Sequence, residues 1–142
     1  MRKVSMGTSK VDNDRFKGKR LLVVDDMEVN RKMLLILLKD SGLIIDCARN
    51  GKEAIDIITA NHEEYDMVFM DIKMPQMGRM EAARLIRALP PRSRGKLPIV
   101  AMVANFRDDI DAYIAAGMDD HIRKPFGSDK LLEILHKFLN ND

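Results

Sequence analysis

Five times between residues 20 and 139, a short apolar run is followed by a stretch with helical spacing. Runs at 20–24 (RLLVV), 43–48, 66–70 (DMVFM), 97–101 and, more weakly, 118–122 read as strands. Residues 27–41 read as a helix with Val29, Met33, Ile36 and Leu37 on one face and Gly42 as its stop. Asn50, three residues before Glu53, is a cap-like start for a helix through residue 60. A helix at 80–89 stops before Pro90-Pro91, one at 108–116 is closed by Gly117, and one at 128–139 carries Leu131, Leu135, Phe138 and Leu139 as its core stripe. Strands that strictly alternate with helices pair in parallel, because each crossover returns the chain to the same sheet edge. Such strands are buried on both faces, which explains their nearly continuous apolar character. The expected fold is therefore α/β, a single doubly wound domain with helices on both sides of the sheet.

The chain's 142 residues suit one domain. Residues 1–20 hold seven Lys or Arg against two Asp, and their first part lacks apolar periodicity. Residues 1–18 are expected to form a basic, flexible leader, and residues 19–142 the domain. No apolar segment in the leader suits a secretory signal. The longest apolar runs, six residues as at 33–38, are far short of the roughly 20 residues of a membrane span. A single cysteine, Cys47, allows no internal disulfide and fits a reducing, cytoplasmic setting. The net charge of +2 does not point to nucleic acid, and no direct DNA binding is expected.

In an open α/β sheet, chemistry gathers at the carboxyl ends of the strands. There the first strand runs into Asp25-Asp26, the third into Asp71, and the fifth is followed by Lys124-Pro125. Alone, Asp25-Asp26 reads as an acidic pair at a helix N-terminus, Asp71 as a turn residue, and Lys124 as a surface lysine. Together on one sheet edge, three carboxylates repel by several kcal/mol unless a cation lies among them. Carboxylate oxygens favour a hard ion such as Mg²⁺, which recruits phosphate oxygens, and an ammonium neutralises further phosphate charge. The constellation reads as a phosphoryl-handling site with an aspartate as nucleophile.

LLVVDD (21–26), DIKMP (71–75), AGMDD (116–120) and KPF (124–126), in this order and spacing, resemble the receiver domain of two-component response regulators. The chain is most similar in style to receivers attached to hybrid sensor kinases. The resemblance covers roughly residues 19–140 and implies a flavodoxin-like, CheY-like fold with strand order 2-1-3-4-5. It also implies that Asp71 accepts a phosphoryl group from a phosphohistidine. Asp26, Asp71 and the backbone carbonyl of Lys73 would hold Mg²⁺ directly, Asp25 would hold it through water, and Lys124 would pair with the phosphoryl oxygens. Lys73 and Asn105 match positions that tune phosphate lifetime. Such a domain is not an enzyme beyond catalysing its own phosphoryl transfer and hydrolysis. Its donor is a histidine kinase or phosphotransfer protein. Its output runs through a face of the fourth helix, fifth strand and fifth helix, here including Phe106, Tyr113, His121 and Arg123. Self-association stays open.

Three positions depart from the family pattern. Val103 stands where a Thr or Ser hydroxyl is usual, keeping the shape and losing the donor. His121 stands where the family has its aromatic switch residue. Gly78-Arg79 replaces an expected Asp-Gly, so either the turn shifts by one residue or Arg79 is strained. The expectation is a complete acid pocket coupled to a weakened switch. The alternative is a docking module that keeps the fold and works without phosphorylation. A haloacid-type hydrolase is disfavoured because Lys73 occupies the place of its second acid. A flavodoxin is disfavoured because no phosphate loop follows the first strand. Cys47 reads as a small core residue, His62 and His136 as solvated, and Arg92, Arg94 and Lys96 as a solvated loop.

Overall fold

A computed structural model describes residues 15–61, 63–71, 79–92, 95–103, 110–124 and 127–139, with only the backbone at 79, 80 and 110. Among them are the strands β1 (Arg20–Val24), β2 (Ile44–Ala48), β3 (Met67–Asp71), β4 (Ile99–Val103) and β5 (Asp120–Arg123). The helices are α1 (Glu28–Leu37), α2 (Gly51–Ala60), α3 (Arg79–Arg87), α4 (Ile110–Ala115) and α5 (Ser128–Leu139). All strand pairs are parallel, and the sheet order is β2-β1-β3-β4-β5, as expected.

The two-residue period of each strand divides the core into two layers. Leu22, Val24, Val68, Met70, Ala101 and Val103 face α2 and α3, meeting Ala54, Ile58, Ala82 and Ile86. Leu21, Val23, Met67, Phe69, Val100 and Met102 face α1 and α5, meeting Leu34, Leu38, Leu131 and Leu135. Phe16 is buried in this second layer, its N–H bonds the Ser41 carbonyl, and its ring meets His136 edge-on at 5.2 Å. The packed body thus reaches back into the expected leader, and His136 is half-buried rather than solvated.

The element boundaries shift for local reasons. α1 ends at Leu37 rather than at residue 41, because the Ser41 hydroxyl donates to the Leu38 carbonyl and accepts from the Leu43 N–H, closing a turn. Gly42 then takes φ +86°, and a Cβ there would lie 2.8 Å from the Lys17 backbone. β4 begins after Pro98, which has no N–H to donate, and runs on to Val103. β5 starts later than expected because Asp119 is occupied as a clasp. Its carboxylate accepts from Arg87, Lys96 and the Ile99 N–H. Asn50 caps α2 as expected, accepting from the Glu53 N–H at 2.8 Å.

The expected apolar face of α1 is corrected. Leu34 is buried and Leu37 half-buried, while Val29, Met33 and Ile36 are 57%, 56% and 61% exposed. The helix carries two apolar stripes, and periodicity alone favoured the one that faces outward. Arg92 is also no free loop cation, since it donates to the carbonyls of Tyr65 and Gly95.

Below the sheet, the Tyr65 hydroxyl donates to Asp46 Oδ2 at 2.6 Å, and Arg20 donates to the same oxygen at 3.1 Å. Burial first, then the Asp46 carboxylate, push the phenol up to about 12 from 10.0. The unfolded chain releases this proton first, so folding stability falls as pH rises from 10.0 to about 12. Denaturant melts across that range, with Tyr65→Phe losing the slope, check the expectation.

Candidate acidic site at the carboxyl edge of the sheet

β1 and β3 are adjacent and in register, with Val24 opposite Met70. Asp25-Asp26 and Asp71 therefore leave the sheet side by side. One carboxylate oxygen from each of the three lies within 4.8 Å of the others. Asp25 is fully buried, Asp71 is 3% exposed, and Asp26 is open to solvent. Lys124 follows β5, and its N–H donates to the Val103 carbonyl at 2.7 Å. From there its long side chain crosses the end of β4 to bring Nζ to 3.2 Å from Asp71 Oδ1 and 3.8 Å from Asp25 Oδ2. All four side chains that the sequence singled out for this edge are brought together.

Three carboxylates face one ammonium, so the edge carries surplus negative charge. The Asp25 carboxyl is raised above its ordinary range, chiefly by burial and next by the charge of Asp71. Opposing this are the Met27 N–H, Lys124 and Asn30. Asp25 Oδ2 is buried and has no hydrogen-bond partner. A buried carboxylate oxygen without a donor, beside two further carboxylates with one open to water, fits a hard divalent cation. Asp25, Asp26 and Asp71 could hold Mg²⁺. In chelator, Asp25→Asn is expected to raise folding stability by about 1–3 kcal/mol, the usual cost of a buried acceptor left without a hydrogen bond. The same substitution lessens the stabilisation gained on adding Mg²⁺. Thermal melts with and without Mg²⁺ test both.

A sequence model of the response regulator receiver domain matches residues 21–136. The chain belongs to the response regulator receiver family. This receiver domain is 39% identical over 122 residues to a two-component response regulator of Oryza sativa subsp. japonica, covering 84% of the chain and 93% of that relative. It is 37% identical over 135 residues to hybrid signal transduction histidine kinase B of Dictyostelium discoideum, covering 87% of the chain and 7% of the kinase. It spans 14% of the length of a histidine kinase of Oryza sativa subsp. japonica. Among solved structures, it resembles the receiver domain of a sensor histidine kinase of Pseudomonas aeruginosa PAO1, which has a magnesium ion coordinated in its active-site cleft. That likeness has 30% identity and a TM-score of 0.75, and covers 87% of this chain and 99% of that one. The receiver domain of the Arabidopsis thaliana histidine kinase CKI1, complexed with Mg²⁺, matches at 28% identity and a TM-score of 0.71, covering 89% and 95% of the two chains.

Other expected positions fall out as follows. Val103 is fully buried as the last residue of β4, with no exposed surface and no hydroxyl. His121 lies on β5 opposite Ala101, half-buried, with Nδ1 3.8 Å from Asp120 Oδ1. Tyr113 is 4% exposed and belongs to the core beneath α4, which corrects its place on an output surface. Its face of α4 turns inward because Met118 and Val103 lie beneath it in the same layer. Cys47 is half-buried and free, and burial pushes its thiol up. Lys73, Asn105, Phe106, Pro125, Gly78, His62, Arg94 and the side chain of Arg79 lie outside the described residues. No described helix is long and apolar enough to cross a membrane.

Sequence reasoning missed Asn30 and Arg31, which reach back from α1 to Asp25. The available signal was spacing: residues five and six after an acid at a strand end lie on the first turns of the following helix.

Proposed function

We propose that this receiver domain accepts a phosphoryl group from a phosphohistidine onto Asp71 and signals by protein contact. The observation that carries the reading is the Asp71 carboxylate, ion-paired to Lys124 at 3.2 Å within a cluster of three acids. An Asp71 oxygen attacks phosphorus and forms the new O–P bond. The P–N bond breaks, its electron pair returns to the imidazole nitrogen, and that nitrogen takes a proton from solvent. Lys124, 3.2 Å from Asp71 Oδ1, would pair with the phosphoryl oxygens during transfer. Asp25, Asp26, Asp71 and the Lys73 carbonyl would hold Mg²⁺, which neutralises phosphoryl charge when bound. Transfer and hydrolysis are the only catalysis in this reading.

The donor is a protein with an apolar docking surface. The outward stripe Val29–Met33–Ile36 begins on the first turn of α1, beside Asp26, where a donor delivering to Asp71 approaches. Exposed apolar side chains in a row on a helix suit a partner helix. The listener meets the side of β5 and α5, where a groove of about 550 Å³ is lined by His121, Arg123, Lys130, Ile134 and Lys137. With no hydroxyl at Val103, phosphorylation and that groove are coupled weakly.

Incubation with Mg²⁺ and a small acyl phosphate, read by intact mass, tests the reading. One phosphate adduct that chelator prevents is expected. No adduct, together with no Mg²⁺ affinity, would instead leave a docking module.

A further inference from the structure

We infer that Arg31 is a positioning residue for the acidic site, fixing the peptide plane between Asp25 and Asp26; this rests on the metal-dependent reading above. The Arg31 guanidinium donates from one terminal nitrogen to the Asp25 carbonyl at 2.7 Å. That carbonyl belongs to the Asp25–Asp26 peptide, a rigid plane with one carboxylate-bearing carbon at each end. Holding it sets the direction in which both acids leave the backbone.

The rest of Asp25 is gripped as well. Its N–H donates to the Ala48 carbonyl at 3.0 Å, continuing the β1–β2 pairing. Its Oδ1 accepts from the Met27 N–H at 3.0 Å and from Asn30 Nδ2 at 3.4 Å. Donors on Oδ1 fix the rotation of the carboxylate, so Oδ2 is the oxygen left without a donor. Arg31 is half-buried, sits one turn into α1, and supplies the charge-assisted bond of the set.

Arg31 is also a cation close to acids, and this separates two roles by sign. If it acted only through its charge, removing it would tighten the binding of a divalent cation. If it positions Asp25 and Asp26, removing it loosens their geometry and weakens binding, by roughly ten-fold or more as for other supports behind metal ligands.

Calorimetric titration of Mg²⁺ into the wild-type chain, Arg31→Met and Arg31→Gln tests this, with thermal melts in chelator to confirm that each variant is folded. The expected result is at least ten-fold weaker binding by Arg31→Met, with part of the loss recovered in Arg31→Gln, which keeps a neutral donor. Equal or tighter binding by folded Arg31→Met overturns the inference while leaving the site's reading intact. If Arg31→Met does not fold, Arg31→Gln decides: binding weaker than wild type supports the inference, and unchanged binding overturns it. Absence of Mg²⁺ binding in the wild-type chain overturns both together.

Discussion

Asp71→Asn takes up no phosphoryl group from an acyl phosphate in the presence of Mg²⁺, while the wild-type chain gains one phosphate in mass. The amide oxygen has neither the charge nor the basicity of a carboxylate, and it cannot form a stable acyl phosphate. The loss in rate is more than about a thousand-fold, as when a nucleophile is removed. It is not a folding defect. Asp71 is 3% exposed and shares its edge with Asp25 and Asp26, so removing its charge relieves repulsion. Thermal melts in chelator therefore show Asp71→Asn at least as stable as the wild type, and intact mass reads the missing adduct.

Val103→Thr has the second-largest expected effect. Val103 ends β4 with its side chain fully buried, and its carbonyl already holds the Lys124 N–H. Threonine has the same shape, so packing survives, and it adds one hydroxyl. With the site empty, that hydroxyl is buried beside apolar neighbours, and stability drops by about 1–3 kcal/mol if it stays unpaired. With a phosphoryl group on Asp71, a hydrogen bond to the charged oxygens is worth about 1.5–3 kcal/mol. The free and phosphorylated states are thereby driven apart, and the response of partner binding or self-association to a beryllofluoride mimic steepens by about ten- to a hundred-fold. Titrations of association with and without beryllofluoride check it. Equal responses from the two chains would mean that the missing hydroxyl is not what limits coupling.

Much of the acidic site was legible because strand ends are legible. An apolar run that stops at acids marks both a strand and its carboxyl edge, and the parallel sheet follows from alternation. Those two facts put Asp25, Asp26, Asp71 and Lys124 on one edge from the sequence, and the structure has them together there. Residues whose role depends on facing were less legible. α1 has apolar side chains on two sides, so spacing could not tell that Leu34 turns inward and Met33 outward. The family resemblance puts Tyr113 on the output face, and a six-residue helix has too few turns for its own pattern to show that the ring turns inward. Phe16 stands alone in a polar segment and so reads as part of a flexible leader, yet one aromatic ring suffices to fill the space beside α5. Arg31 is less legible because its bond is to a backbone carbonyl, so only its spacing after the strand-end acid marks it.

The most direct test of the account is to locate the phosphate. The chain is phosphorylated with an acyl phosphate and Mg²⁺, reduced with borohydride to convert the acyl phosphate to an alcohol, digested and sequenced by mass spectrometry. The account predicts reduction at Asp71 and at no other acid. Reduction at Asp25 or Asp26, or a phosphorylated protein in which Asp71 is unmodified, would contradict it.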